Sequence, residues 1–190
     1  MIRIEAEAPA EAGARENLLD LAFGLRRSAK TSQRLRDDRM PADGLAYSAK
    51  NASGRVVGTI RLWHISAGAK RPALLLGPLA VHPSYRRKGV GSALVRETLA
   101  KAKALGHTAV LLVGDEPFYR RFGFCRALTE QLQLPGPFER ERFLGLELAP
   151  GALAGARGVV TATGAPAPAT APALPTAVPR RLTPRARRAS

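Results

Sequence analysis

Three consecutive basic residues, Arg86, Arg87 and Lys88, stand directly before two glycines, Gly89 and Gly91, that are separated by one residue. Glycines at this spacing let the backbone turn tightly and leave its N–H groups uncovered by side chains. If a helix begins at the same point, its unpaired N–H donors and the positive end of its dipole also attract a phosphate. The stretch therefore predicts a turn that binds a phosphate or a pyrophosphate.

Two common nucleotide-binding motifs do not fit this turn. The dinucleotide fingerprint Gly-x-Gly-x-x-Gly would need a third glycine at position 94, where the sequence has Leu94. The phosphate loop of nucleotide hydrolases needs Gly-Lys-Ser or Gly-Lys-Thr, and the sequence has neither at this point. The turn is therefore suited to a pyrophosphate bound on a different fold.

The elements on either side of the turn have the clearest patterns in the sequence. Ala73–Val81 is an uncharged, leucine-rich run, which predicts a central strand covered on both faces. Val90–Leu105 has apolar residues at helical spacing and predicts a helix that begins at the turn. Pro78 lies inside the predicted strand, where it cannot donate a ladder hydrogen bond. We therefore expect this strand to part from one neighbour near Gly77-Pro78.

Further strands and helices are predicted around this unit. The expected strands are Ile2–Ile4, Leu45–Lys50, Arg55–Ile65, Thr108–Val113 and Phe143–Leu148. Helices are expected over residues 11–25, over residues 30–37 and around Tyr119. The apolar residues that predict the first of these helices are Ala14, Leu18, Leu21, Ala22 and Leu25. This order of elements is typical of an α/β domain with one mixed sheet.

The charge of the chain is distributed unevenly. The sequence has 30 Lys and Arg residues against 15 Asp and Glu residues, a net charge of +15, which predicts a polyanionic partner. Residues 151–190 contain 6 arginines, 6 of the 15 prolines, no acidic residue and no aromatic residue. Because such a segment buries too little apolar surface to fold, we expect a folded domain at residues 1–154 and a disordered tail at residues 155–190. The arginines of the tail are either simply solvated or a weak anchor for an anionic partner.

Cysteine content and hydropathy exclude several classes of protein. The single cysteine, Cys125, excludes an internal disulfide and a cysteine-based zinc cluster. No apolar run approaches the roughly 18–20 residues that span a bilayer. Glu5 and Glu7 stand where a signal peptide would need its apolar stretch. We therefore expect a cytoplasmic protein without a membrane partner and without a metal site.

Two motifs together resemble a known family. Arg86-x-x-Gly89-x-Gly91 resembles the Arg/Gln-x-x-Gly-x-Gly/Ala signature of the GCN5-related N-acetyltransferases, the GNAT family. Tyr119-Arg120-Arg121-Phe122-Gly123-Phe124 is similar to the Tyr-x-x-x-Gly-Phe segment that follows the fifth strand there, and Gly114-Asp115 before it is most similar to small bacterial acetyltransferases. The resemblance covers about residues 1–150. It implies a single domain with a mixed, mostly antiparallel sheet flanked by helices.

The resemblance also implies a co-substrate and a set of site residues. Acetyl-CoA would be the acetyl donor and an amine the acceptor. Backbone groups of Leu79, Ala80 and Val81 would lie along the pantetheine and the thioester, where an N–H group can polarise the carbonyl. The residues implied around the pyrophosphate are Arg86, Arg87, Lys88, Gly89, Val90, Gly91 and Ser92. Tyr119 matches the tyrosine that gives a proton to the CoA sulfur, although the same residue is also explained as an aromatic packed under CoA.

The resemblance leaves the general base open. Many relatives have a glutamate on the strand before the signature, but Ala73–Val81 contains no acidic residue. His64, Asp115 and Glu116 are the candidates elsewhere, beside a structural role for His64 and a turn or helix-cap role for Asp115. Water or hydroxide would otherwise accept the proton. We expect His82 to be structural, His107 to be solvated and Cys125 not to act as a nucleophile.

Three functions remain open at this stage. The first is an acetyltransferase that acts on a small-molecule or protein amine, as a monomer or a homodimer. The second is an acyl-CoA sensor without turnover, which would fit the missing glutamate. The third is a basic nucleic-acid-binding module on the same fold, which the low aromatic content of 5% disfavours because bases stack on aromatic side chains.

Overall fold

The computed structural model describes residues 1–24, 27 and 30–168, and it contains strands, α-helices and short 3₁₀ helices. The strands are β1 (Arg3–Ala6), β2 (Ala46–Lys50), β3 (Val56–Ser66), β4 (Pro72–Val81), β5 (Ala109–Val113), β6 (Leu132–Gln133), β7 (Phe143–Glu147), β8 (Gly158–Val159) and β9 (Thr161–Ala162). The α-helices are α1 (Ala12–Phe23), α2 (Val90–Ala104) and α3 (Glu116–Tyr119). The 3₁₀ helices are Pro9–Glu11, Thr31–Leu35, Pro83–Tyr85, Arg120–Phe122, Ala127–Thr129 and Arg140–Arg142. None of the helices in the described ranges is long and apolar enough to cross a membrane.

Seven of these strands form one sheet in the order β1-β2-β3-β4-β5-β7, with β9 paired to the end of β3. Only the β4–β5 pair in this sheet is parallel, and every other pair is antiparallel. The predicted mixed, mostly antiparallel sheet is therefore confirmed. β6 and β8 form a separate two-stranded sheet. The predicted strands and long helices agree with the structure to within one or two residues at their ends.

The central strand β4 is irregular at Gly77-Pro78, as its sequence predicts. Ile60 of β3 pairs with Leu79 and Leu62 pairs with Leu76, so two residues of β4 stand opposite one residue of β3. The indole N–H of Trp63 donates a hydrogen bond to the carbonyl of Gly77. This bulge bends the strand at the point where its other neighbour leaves it.

That other neighbour is β5, which pairs with β4 only at Leu74↔Val110 and Leu75↔Leu111. Beyond Leu75, the edge of β4 that faces β5 is unpaired as far as Val81, while its opposite edge remains paired to β3. The two parallel strands therefore part and leave a cleft between them.

Apolar layers on both faces hold the sheet. Helix α2 covers one face with buried side chains that include Val90, Leu94 and Val95. Helix α1 covers part of the other face, where Leu18 and Leu19 pack against Ala80 of β4. The C-terminal segment covers the rest of this second face.

Two predictions about the N-terminal helices need correction. Helix α1 lies where it was expected, but Leu21, which was counted toward its apolar face, is 55% exposed. The buried pair is instead Leu18 with its neighbour Leu19, and Leu25 lies outside the described residues. The helix predicted over residues 30–37 is a short 3₁₀ helix, Thr31–Leu35, that buries only Leu35.

The chain remains packed on the sheet beyond residue 154, where the sequence predicts that the domain ends. Val160 is fully buried against the second face of the sheet, and Ala156 is almost fully buried with it. Gly158–Val159 and Thr161–Ala162 pair with Leu132–Gln133 and with the end of β3. A few apolar residues therefore hold this segment although its composition resembles that of a disordered tail, because the sheet supplies the surface that they cover. Residues 169–190 of the predicted tail lie outside the described residues.

Candidate active site

A cavity of about 250 Å³ opens where β4 and β5 part. Its lining residues come from four parts of the chain: the end of α1 with the segment after it, the bulge of β4, the end of β5 with α3, and Arg142. They are Phe23, Arg27, Lys30, Ser32, Gln33, Arg36, Leu76, Gly77, Pro78, Leu79, Val113, Gly114, Asp115, Phe118, Tyr119 and Arg142. Leu79 and Tyr119, which were predicted from separate motifs, therefore line the same cavity.

The backbone of β4 presents hydrogen-bonding groups to this cleft. The His82 N–H donates to the carbonyl of Val57, at 2.9 Å, so it points toward β3. Because N–H groups alternate sides along a strand, the Ala80 N–H also points toward β3, whereas those of Leu79 and Val81 point into the cleft. Of the three residues whose backbone groups were expected along the pantetheine, Leu79 and Val81 therefore offer an N–H to the cleft, whereas the N–H of Ala80 points away from it.

The turn that was predicted to bind a phosphate follows directly on this open edge. The first hydrogen bond within α2 runs from the Ala93 N–H to the Gly89 carbonyl, at 2.9 Å, so the N–H groups of Val90, Gly91 and Ser92 have no partner within the helix. Gly89 has φ +80° at the N-cap, a left-handed conformation that glycine adopts without strain. The helix start therefore presents free donors at the end of β4.

The three basic residues of the turn are exposed around this helix start. The Arg86 Nε donates to the carbonyl of Val81, at 3.3 Å, which covers one acceptor on the open edge of β4. The Lys88 ammonium lies 5.5 Å from the centre of the Tyr85 ring. The turn is therefore a basic, solvent-accessible surface at one end of the cleft.

The second motif packs against the first. A Cβ added to Gly91 would lie 3.6 Å from the ring of Phe118, so the start of α2 touches the segment that carries Tyr119. Tyr119 itself packs edge-on against Phe118 and Phe124, with ring centroids 4.9 and 5.8 Å away. A Cβ on Gly114 would lie 2.3 Å from the Tyr119 ring, so only glycine leaves room for the ring there.

The Tyr119 hydroxyl belongs to a mostly buried side chain and has no hydrogen-bond partner among the described residues. Burial, together with the nearby Asp115, raises its pKa to about 12, although Arg142 opposes this effect. The phenol therefore keeps its proton throughout the neutral and mildly alkaline range. A protonated phenol that lines the cavity is able to donate a hydrogen bond or a proton.

Of the three candidates for the general base, the structure brings only Asp115 to the cavity. Asp115 holds the N-cap position of α3 without a side-chain cap, and its carboxylate instead pairs with Arg142, at 3.1 Å. The ring of His64 lies 5.4 Å from that of His107, so these two histidines pair with each other away from the cavity. His82 accepts a hydrogen bond from the Ser84 N–H, at 3.3 Å, which agrees with its predicted structural role.

Sequence reasoning missed the basic wall of the cavity. Four of its lining residues are basic, Arg27, Lys30, Arg36 and Arg142, against the single acidic residue Asp115. Arg36 directly follows the 3₁₀ helix Thr31–Leu35, in a stretch that was predicted only as a helix. Nothing in the local sequence marks it, because its burial depends on the approach of that segment to the bulge of β4.

Comparison with known proteins agrees with this geometry. The sequence model of the acetyltransferase (GNAT) domain matches residues 42–126. The uncharacterized N-acetyltransferase YhbS of Escherichia coli K12 is 32% identical over 158 residues, which are 83% of this chain and 93% of that protein. The crystal structure of E. coli YhbS in complex with CoA superposes with a TM-score of 0.73 at 30% identity, covering 85% of this chain and 89% of that one.

A second solved structure is similar over most of its length. It is a GNAT family acetyltransferase from Brucella melitensis in complex with acetyl-CoA, with a TM-score of 0.60 at 25% identity, covering 79% of this chain and 90% of that one. The parted strands, the turn and the sequence identity over nearly the whole of YhbS lead to one conclusion: this chain is a member of the GNAT family of N-acetyltransferases.

Proposed function

We propose that this protein is an enzyme that transfers the acetyl group of acetyl-CoA to an amine of an acceptor molecule. The observation that carries the proposal is the open edge of β4, which leads from the cavity beside Tyr119 to the free helix start of α2. The relatives solved in complex with CoA and with acetyl-CoA support it, since they have the same fold.

The chain offers groups that suit each part of CoA. The N–H groups of Val90, Gly91 and Ser92 would receive the pyrophosphate, and Arg86, Arg87, Lys88 and Gly89 would complete this turn around it. The N–H groups of Leu79 and Val81 would donate hydrogen bonds to the pantetheine arm, which would take the place of a neighbouring strand. We propose that Ala80 contributes by packing on α1 and holding the strand in place.

Acetyl-CoA supplies the acetyl group and leaves as a thiol. The acceptor nitrogen forms a bond to the carbonyl carbon, and the bond from that carbon to sulfur breaks. An N–H of β4 that points into the cleft, that of Leu79, would stabilise the negative charge that develops on the carbonyl oxygen. The cleft holds the two reactants in one orientation, which removes much of the entropic barrier.

Two proton movements complete the reaction. We propose that Tyr119 donates its proton to the departing sulfur and regains one from solvent. The pKa of the phenol is about 12, and the burial that raises it would also raise the pKa of a thiol formed in the same place. The acceptor amine gives its proton to water or to Asp115, the acidic residue found among those lining the cavity.

We further propose that the catalytic domain extends to about residue 168, because Val160 completes its core. The single cysteine is in keeping with action in the reducing cytoplasm.

Thermal unfolding and thiol release together test the function. Ligand at a hundredfold excess over its Kd stabilises a protein by about 2.7 kcal/mol, so acetyl-CoA should raise the melting temperature clearly. A panel of amines is then assayed for thiol release, with a mixed-sequence oligonucleotide tested for stabilisation in parallel. Amine-dependent thiol release supports the proposal. Stabilisation by acetyl-CoA without turnover would favour a sensor, and stabilisation by the oligonucleotide alone would favour a nucleic-acid-binding module.

A further inference from the structure

Arg36 carries a buried positive charge that the proposed acetyl transfer does not use. Its side chain lines the cavity although the residue is only 9% exposed. Burial lowers its pKa to about 10, an effect that the nearby Asp37 partly offsets. Its Nε has no hydrogen-bond partner among the described residues, and one terminal nitrogen lies 3.5 Å from the Ser32 hydroxyl. Burying a charge in this way is costly unless a negative group meets it.

The described part of the chain supplies no carboxylate that pairs with Arg36. No salt bridge joins Arg36 to an acidic residue within residues 1–24, 27 and 30–168. Asp37, its neighbour, accepts a hydrogen bond from the Gln33 amide, at 2.7 Å. The residues outside the description, 25, 26, 28, 29 and 169–190, include no Asp or Glu. No negative group among the described residues therefore pairs with Arg36, and a bound molecule could supply one.

Two other basic residues of the cavity differ from Arg36 because acidic side chains already pair with them. Arg27 pairs with Asp20, at 2.8 Å, and with Glu16. Arg142 pairs with Asp115, at 3.1 Å. Lys30, the fourth basic residue of the cavity, is exposed and has no acidic partner among the described residues. Arg36 is therefore the buried basic residue of the cavity that lacks an acidic partner in the described part of the chain.

The position of Arg36 relates it to the reacting atoms. A Cβ placed on Gly77 would lie 3.5 Å from a terminal nitrogen of Arg36, so the guanidinium stands over the bulge of β4. Gly77 is two residues before Leu79, so the two positions are at most about 7 Å apart along the chain. A molecule that reaches both positions needs its negative group only a few bonds away from its reacting nitrogen.

We infer that the acceptor is a small amine that carries an anionic group, a carboxylate or a phosphate, and that Arg36 binds this group. The inference depends on the acetyl transfer proposed above and specifies its acceptor. In amino acids a carboxylate lies a few bonds from the amine, and in phosphoethanolamine a phosphate does. A guanidinium suits both groups because its planar N–H donors match two oxygens at once.

Matched pairs of amines test the inference on the unaltered protein. Glycine, alanine, leucine and phenylalanine are each compared with their primary amides, and phosphoethanolamine is compared with ethanolamine. We expect kcat/KM, measured by thiol release at saturating acetyl-CoA, to be at least about tenfold higher for the anionic member of one or more pairs. A neighbouring carboxylate raises the pKa of the amine, so the amide has more of the reactive free base. A preference for the acid must therefore come from binding.

Variants of Arg36 then assign the preference to this residue. Arg36→Gln should lower kcat/KM for the anionic member about 10- to 100-fold, mainly through KM, and change that of the neutral member by less than about threefold. Arg36→Lys keeps the charge but not the planar donors, so it should recover part of the loss. Arg3→Gln, on the far edge strand β1, is the matched control and should behave like the unaltered protein. Thermal unfolding of each variant shows whether it is folded.

Each outcome decides the inference. An anionic preference that Arg36→Gln removes supports it, and the pair affected distinguishes carboxylate from phosphate. Equal losses for both members of a pair would overturn it, because Arg36 would then act on the reaction and not on the acceptor. Turnover of neutral or polycationic amines such as tryptamine or spermidine, with no preference for an anion, would overturn it while acetyl transfer stands. Absence of turnover with every amine contradicts the proposed function as well.

Discussion

Replacing Tyr119 with phenylalanine removes one oxygen atom from the cavity and leaves the ring. The edge-on contacts with Phe118 and Phe124, at 4.9 and 5.8 Å, do not involve the hydroxyl, so we expect the fold and the affinity for acetyl-CoA to be retained. What is lost is the proton donor beside the departing sulfur. The side chain is mostly buried, so bulk water does not readily replace the donor.

The size of the effect follows from this burial. A hydrogen bond to a group that carries charge contributes roughly 1.5–3 kcal/mol, which corresponds to about a 10- to 150-fold loss of kcat. Because the pKa of Tyr119 is about 12, its donor form is present at full occupancy from pH 7 to pH 10. The ratio of unaltered to variant kcat should therefore be constant over this range, and titration of Tyr119 should lower it only as the pH approaches 12.

The assay measures thiol release under single turnover, with the Kd of acetyl-CoA obtained separately by calorimetry. Tyr47→Phe is the matched control, since Tyr47 lies buried on β2 and does not line the cavity. An unchanged kcat for Tyr119→Phe would refute the assignment of a donor role and would leave Tyr119 as a packing residue. A kcat ratio that already falls around pH 9 would instead contradict the pKa on which the magnitude depends.

Three further substitutions test the packing of Tyr119, the backbone of the turn and the C-terminal part of the core. Gly114→Ala would bring a Cβ to 2.3 Å from the Tyr119 ring. We therefore expect kcat to fall at least as far as in Tyr119→Phe, and the free energy of unfolding to fall by about 1–3 kcal/mol. The control is Gly13→Ala, in open space on α1, which should be neutral or stabilising. Gly89→Ala forces a residue with a side chain into φ +80°. The free energy of unfolding in urea should fall by about 1–2 kcal/mol, and CoA binding measured by calorimetry should weaken. No change in either measurement would be evidence against the turn geometry. Val160→Ala should lower the free energy of unfolding by roughly 1–3 kcal/mol because Val160 is buried. Val159→Ala, at a half-exposed neighbouring position, should change the free energy of unfolding by no more than about 0.5 kcal/mol. Equal effects of the two substitutions would mean that residues 156–162 do not complete the core.

The search for the general base shows which parts of an active-site assignment can be predicted from local sequence. Three candidates were open from residue type alone, and the fold separates them because only one lies at the cavity. His64 and Glu116 do not line the cavity, and the ring of His64 instead lies beside that of His107, which comes from a distant part of the chain. Asp115 lines the cavity but is engaged by Arg142, which sequence reasoning did not connect with it.

The sequence by itself determined the features that depend on neighbouring residues. The turn from Arg86 to Gly91 between a buried strand and a helix, the irregularity at Gly77-Pro78 and the segment around Tyr119 were all predicted correctly as local structure. Their physical causes act within a few residues: glycine allows a positive φ, proline lacks an N–H, and apolar spacing selects strand or helix.

Only the tertiary structure decided what depends on residues far apart in the chain. It turned the Ala80 N–H toward β3, left Leu21 of α1 exposed, and buried Val160 in a segment whose composition predicts disorder. It also placed the Arg36 guanidinium over Gly77, where burial without an acidic partner makes its charge available to a ligand. The burial and the partners of a residue depend on the surface that other elements bring against it, and a local sequence pattern does not predict which elements those are.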